Sequence, residues 1–160
     1  MLPGDFGVMA TSGWAARLIQ IVTRSRVNHA VLYLGDGQCI EGSPNGAGLV
    51  PVDAYPGTYW SNMDLTDEQR DSIVTHGRSH LGAPYSWLDV AAIGFAHIFG
   101  RAVPPFIRRR LSLPNRLECA QLVDLSYLEA GVHLFDDGRL PGDVAPSDLY
   151  DLIVEGEQGK

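Results

Sequence analysis

Val27-Asn28-His29-Ala30-Val31-Leu32-Tyr33-Leu34-Gly35, followed by Asp36-Gly37 and then Gln38-Cys39-Ile40-Glu41, is the stretch on which the fold turns. β-Branched and aromatic residues recur with period two, so Val27 to Leu34 reads as a strand with His29 facing the interior. Asp36-Gly37 is turn chemistry, and Gln38 to Glu41 returns as the second arm of a hairpin. The register of that hairpin decides which side chains share a face. A two-residue Asp36-Gly37 turn sets Glu41 opposite Leu32, away from His29. A three-residue Gly35-Asp36-Gly37 loop, with Gly37 supplying the positive φ, sets Glu41 opposite Val31 and diagonal to His29. A carboxylate there can orient the imidazole.

Far along the chain, Leu117-Glu118-Cys119-Ala120-Gln121-Leu122-Val123 reads as a helix start. The helix runs from Cys119 to Ala130 and is stopped by Gly131. Positions 119, 122, 123, 126, 127 and 130 share its buried face, with the thiol at the N-terminal tip. A helix N-terminus lowers a thiol pKa and offers free N–H groups to an oxyanion. Two readings of Cys119 follow, a nucleophile or a small core residue. His29 has the same pair of readings, a base or a satisfied core histidine. Cys39 is the rival nucleophile. It would lie opposite Tyr33, about 13 Å from His29 along a strand, and it has no helix terminus, so it reads as structural.

Between these segments the punctuation is clear. Pro3-Gly4-Asp5 is a turn into the strand Phe6 to Met9, and Trp14 to Thr23 has helical spacing. Gly42 to Gly48 reads as a Gly/Pro/Asn loop beside Glu41. Leu49-Val50-Pro51-Val52 reads as a short strand, at an edge because of its proline. Thr66-x-x-Gln69 is a capping box opening a helix to about Leu81, with Gly82 past its end. Ala83-Pro84-Tyr85 turns into the apolar stretch Leu88 to Phe99. Pro104-Pro105 and Arg108-Arg109-Arg110 follow. Asp89, His97 and Arg101 break this stretch, so it does not read as a transmembrane span. It is a buried helix pair, or else a peripheral lipid-contacting surface over 88–110. Pro141-Gly142-Asp143 and Ala145-Pro146-Ser147-Asp148-Leu149 close the chain. His76 and His80 stand i, i+4 on the predicted helix, but Gly77 occupies the place a zincin glutamate would take, so a solvated face is expected and no metal.

The chain has 160 residues, 45% of them hydrophobic and 19% charged, which suits one domain spanning 1–160 with a real core. A net charge of −7 excludes nucleic acid as the expected partner, since phosphate binding needs a positive field. Met1-Leu2-Pro3-Gly4-Asp5 lacks a basic region followed by an apolar run, so the chain reads as cytoplasmic with free thiols.

Taken in order, Pro3-Gly4-Asp5, Thr23 to Gly35, Ile40-Glu41-Gly42, Gly82-Ala83-Pro84-Tyr85, Cys119 to Val123 and Pro146 to Leu149 resemble the circularly permuted branch of the papain-like NlpC superfamily. That branch includes YiiX-like proteins and relatives of lecithin-retinol acyltransferase. Papain-like hydrolases usually place the cysteine first; here the histidine precedes it, as permutation requires. The resemblance implies an α+β fold, with a central antiparallel sheet packed against the helix that bears the cysteine. It implies Cys119 as nucleophile, His29 as base and Glu41 as the third polar residue. Tyr85 would support the oxyanion site, with Asn28 and Gln121 as neighbouring oxyanion or substrate contacts. Two departures stand out: Asn28 replaces the serine of many relatives, and Cys119-Ala120 replaces the commoner Cys-Ser pair. The implied activity is hydrolysis of an amide or isopeptide bond, as in cell-wall peptides, without cofactor. The alternatives are a thiol-dependent acyltransferase or lipid hydrolase acting on an acyl-bearing substrate, and an inert binding module.

Overall fold

The computed structural model describes residues 1–12, 25–43, 45–84 and 118–158. The hairpin is formed by β2 (His29–Gly35) and β3 (Gln38–Ser43). Gly35 pairs with Gln38 across a two-residue Asp36-Gly37 turn. A register shift between Tyr33 and Gly35 then sets Tyr33 opposite Cys39 and Val31 opposite Glu41. Gly35, Asp36 and Gly37 all adopt positive φ, at 91°, 51° and 70°. Two consecutive left-handed residues make the tight turn whose twist suits the strands, and glycine accepts the adjoining bulge without a Cβ penalty. Of the two loops considered, the two-residue turn is the one formed, and a bulge at Leu34 restores the register of the three-residue alternative. Glu41 is thereby placed on the face of His29.

β1 (Phe6–Met9) pairs with β2, β4 (Gly46–Pro51) with β3, and β5 (Tyr59–Trp60) with β1, all antiparallel. The sheet order is β4-β3-β2-β1-β5. With helices α1 (Asp67–Ser79), α2 (Cys119–Glu129) and α3 (Pro146–Gln158), the described residues form an α+β fold. β4 is at the edge, where its proline is tolerated. The stretch expected as a loop, Gly42 to Gly48, instead carries paired strands from Ser43↔Gly46 onward. Backbone bonds on the outer side explain it: the Ala47 N–H donates to Ala83 O at 2.8 Å and the Gly82 N–H to Ala47 O at 2.9 Å. Pairing on both sides overrides the weak strand preference of glycine.

One sheet face presents Phe6, Val8, Ala30, Leu32, Leu34 and Ile40 to the helices, packed with Ile73, Leu122, Val123, Tyr127, Leu149 and Ile153. Full burial of each Val, Leu, Ile or Phe among them contributes about 1.5–3 kcal/mol. The opposite face carries a smaller cluster of Met9, Val31 and Cys39 with Tyr33, Val50, Tyr55 and Trp60. By strand alternation His29 shares this second face with Val31, and its side chain is 14% exposed, in keeping with the inward-facing histidine expected from the sequence.

α1 starts as its capping box predicts, with the Gln69 N–H donating to Thr66 Oγ1 and the Thr66 N–H to Gln69 Oε1. It ends at Ser79, two residues short of the expected Leu81. His76 and His80 are not simply solvated: each approaches Glu129 Oε2 of α2, at 3.4 and 3.0 Å. α3 corrects the reading of the last segment as a mere closing stretch. Pro146 opens it, Asp148 Oδ2 accepts the Ala145 N–H at 2.8 Å, and Leu149 and Ile153 recur at i, i+4 into the core.

The N-terminal turn is locked to α1 by a buried ion pair. Arg70 Nη1 donates to Asp5 Oδ1 at 2.8 Å and to Pro3 O at 3.0 Å, while Nη2 donates to Met63 O at 2.8 Å. Tyr127 of α2 adds a hydrogen bond from its hydroxyl to Gly4 O. These bonds fix β1, and through it the start of β2, against the helices. No helix among the described residues is long and apolar enough to cross a membrane. The expected Trp14–Thr23 helix, Tyr85 and segment 88–110 lie outside the described residues.

Candidate active site

Cys119 is the first residue of α2, with Glu118 at the N-cap. A backbone notch brings it to the sheet. A Cβ built on Gly42 of β3 would lie 3.0 Å from both Cys119 N and Glu118 C, so glycine lets the helix tip rest on the strand without crowding. Gly42 adjoins Glu41, and Glu41 reaches His29. The tip of α2 therefore meets the sheet beside these two side chains.

The Cys119 thiol and the His29 ring are hydrogen-bonded. Burial on its own pushes the thiol up. The charge on His29, its hydrogen bond and the N–H groups of Ala30 and Ala120 outweigh burial and hold the thiol below its ordinary value. For His29, burial alone lowers the pKa. The Cys119 charge and hydrogen bond, then those of Glu41, raise it well above the ordinary imidazole value. The two shifts share one origin, the interaction of sulfur with ring, and both favour the proton on the ring.

Glu41 Oε2 lies 2.7 Å from His29 Nε2 and accepts the Tyr55 hydroxyl, also at 2.7 Å. Burial raises the Glu41 carboxyl, but hydrogen bonds from His29 and Tyr55 prevail and hold it below its usual range. With Nε2 engaged by the carboxylate, Nδ1 is the ring nitrogen left for sulfur. Tyr55 also sets its ring against the imidazole, with centroids 5.5 Å apart and planes at 67°. Its phenol is pushed upward by burial and by Glu41, so it remains a donor.

Cys39 lies opposite Tyr33 and is only 1% exposed. Burial, with Glu41 nearby, pushes its thiol up to about 12. It is a buried neutral thiol, unlike Cys119, and both cysteines are free.

Two residues expected near the oxyanion or substrate have local structural bonds. Asn28 Oδ1 accepts the Thr11 N–H at 2.9 Å and the Thr11 hydroxyl at 2.8 Å, and its Nδ2 donates to Thr11 O at 3.1 Å. That brace ties the chain after β1 to the start of β2. Gln121 Oε1 accepts the Glu118 N–H at 3.3 Å, which caps α2. Tyr85, the third expected contact, lies outside the described residues.

Two residues of the site escaped the sequence reading. Tyr55 sits in Val52-Asp53-Ala54-Tyr55-Pro56-Gly57, where neither period nor spacing links it to Glu41. Gly42 entered only as a neighbour of Glu41, with no signal that a helix would rest on it.

In chemical terms, the arrangement favours a thiolate at a helix N-terminus beside an imidazolium whose far nitrogen is held by a carboxylate. Such a thiolate can attack an electrophilic carbon while the imidazolium supplies a proton. Among the described residues, no three His, Cys, Asp or Glu side chains are grouped to hold a metal ion. Compared with known protein families and with curated proteins, the chain matches no family model and no curated protein.

Proposed function

We propose that the chain is a cysteine-dependent hydrolase with the permuted papain-like fold of the NlpC superfamily, cleaving an amide or isopeptide bond. The observation that carries this reading is the run Cys119–His29–Glu41, with the thiol pKa lowered and the imidazole pKa raised. The Cys119 thiolate attacks the carbonyl carbon, and the carbonyl π pair moves to oxygen. The N–H groups at the start of α2 stabilise that oxyanion. As the tetrahedral adduct collapses, the C–N bond breaks and the His29 imidazolium gives its proton to the leaving amine, leaving a thioester. Neutral His29 then takes a proton from water, the hydroxide attacks the thioester, and the C–S bond breaks. The acid product leaves, and the thiolate–imidazolium pair is restored. Glu41 remains ionised throughout, holding the ring. A cell-wall peptide is the substrate class this family reading favours.

The test is an acyl-type activity probe, with the adduct mapped by mass spectrometry and the labelling repeated on His29→Ala. The expected result is an adduct on Cys119 that is lost in the variant. An adduct on Cys39, or equal labelling without His29, overturns the reading.

A further inference from the structure

We propose that Tyr55 is a positioning residue of this site: its hydroxyl, bonded to the same Glu41 oxygen that His29 Nε2 contacts, keeps the carboxylate from taking the ring proton and fixes the imidazole plane. This deepens the reading of Cys119 and His29 as nucleophile and acid, and rests on it.

The geometry is specific. Glu41 Oε2 receives two contacts of 2.7 Å, one from the imidazole and one from the phenol. A buried carboxylate with one strong donor competes with that donor for its proton. A second donor on the same oxygen draws off charge, lowers its basicity and leaves the proton on the ring. That matters here because the imidazolium must keep Nε2–H while Nδ1–H is given to the leaving group. The upward shift of the Tyr55 phenol means that it does not itself ionise while serving Glu41.

The tyrosine is also held firmly enough to act in this way. It follows a short 3-10 turn, Val52–Ala54, that leaves the end of β4. The Val52 N–H donates to Gly37 O at 2.9 Å, and Thr58 Oγ1 donates to Tyr55 O at 2.7 Å. These bonds anchor the segment before the residue and after it. The ring packs against the cluster of Met9, Val31 and Cys39, and its edge-on contact with the imidazole limits rotation of His29.

The experiment follows the rate of Cys119 alkylation by iodoacetamide against pH, with the modified residue mapped by mass spectrometry. Wild type, Tyr55→Phe, Glu41→Gln, the double variant and His29→Ala are compared, each with its thermal melt. Tyr55→Phe keeps the ring and removes only the donor. Its acid limb is expected to move to higher pH, lowering the rate there by about three- to ten-fold, with recovery toward wild type above the limb. In the Glu41→Gln background the same change is expected to do nothing further, because Tyr55 acts through Glu41. Tyr55→3-fluorotyrosine has nearly the same shape and is a stronger donor, so it moves the limb the opposite way and gives a reading even if the phenylalanine variant misfolds. A Tyr55→Phe profile that overlays wild type, a shift that persists in Glu41→Gln, or a fluorotyrosine limb that fails to move downward overturns the proposal. In those cases a profile that depends on His29 leaves the nucleophile reading standing. If His29→Ala matches wild type, that reading fails and the role of Tyr55 falls with it.

Discussion

Glu41 Oε2 stands 2.7 Å from His29 Nε2, a contact between adjacent strands whose register rests on one extra residue at Leu34. Continued without that bulge, the pairing that begins at Gly35↔Gln38 would put Glu41 opposite Leu32 and turn it toward the main core. The bulge therefore selects which face of β3 meets the imidazole. Gly35, with its positive φ, makes the shift compatible with a tight turn.

Glu41→Gln removes the charge and leaves the shape. Charge-assisted hydrogen bonds are worth about 1.5–3 kcal/mol, so the reactive thiolate–imidazolium population falls roughly 10- to 100-fold near neutrality. Because Glu41 is held below the usual carboxylate range, wild type keeps its advantage down to acid pH. The gap closes only as pH falls through the depressed Glu41 value and that carboxyl protonates. Rates of thiol alkylation for the two proteins across pH check this.

Thiol reactivity should separate the two cysteines. The Cys119 thiol is held down by His29, so its labelling persists below the ordinary thiol range and fades only as pH falls through its lowered value. Cys39, pushed up to about 12, stays unlabelled at neutral pH, and Cys39→Ala leaves the labelling rate unchanged. In His29→Ala, burial is no longer opposed by the ring charge, and neutral-pH labelling of Cys119 drops by about 100-fold or more. Peptide mapping after timed alkylation reads all three outcomes.

Gly42→Ala tests the contact between strand and helix. A Cβ there would crowd Cys119 N and Glu118 C at 3.0 Å, so the helix tip must move by a few tenths of an ångström. Overpacking of this kind costs about 1–3 kcal/mol. The variant is expected to fold with a lower melting temperature and with Cys119 labelling reduced out of proportion to its stability. Equal labelling by a folded variant would show that the sulfur tolerates displacement.

Arg70→Met breaks the buried pair with Asp5 and leaves that carboxylate without its cation. Removing one partner of a buried ion pair costs about 3–5 kcal/mol, whereas replacing both restores much of the loss. Urea unfolding of Arg70→Met and of Asp5→Leu/Arg70→Met measures this. The double variant is expected to be the more stable of the two.

Much of the site was legible because its determinants are local. The period of Val27 to Leu34 identified the strand carrying His29, and the 119–130 spacing with the stop at Gly131 identified the helix whose first residue is the cysteine. The Glu41 register was legible as a choice between two hairpins, although the turn that achieves it was not. β5 is too short to express a period, and α3 hid behind proline-rich punctuation that reads equally as a loop. The glycines of 42–48 suggested a loop because the backbone partners at Gly82 and Ala83, which make β4 a strand, lie far along the chain.

The sequence by itself determined the local parts of this protein: a histidine strand, a tight turn followed by a returning carboxylate, and a thiol at a helix start. Each depends on residues within a few positions of one another, where steric preference and hydrophobic period act directly. Only the tertiary structure decided that α2 rests on Gly42, that the thiol consequently meets His29, and that Tyr55 serves Glu41. Those contacts depend on strand order and helix docking, which are set by burial summed over the whole core. No short segment of chain contains that sum.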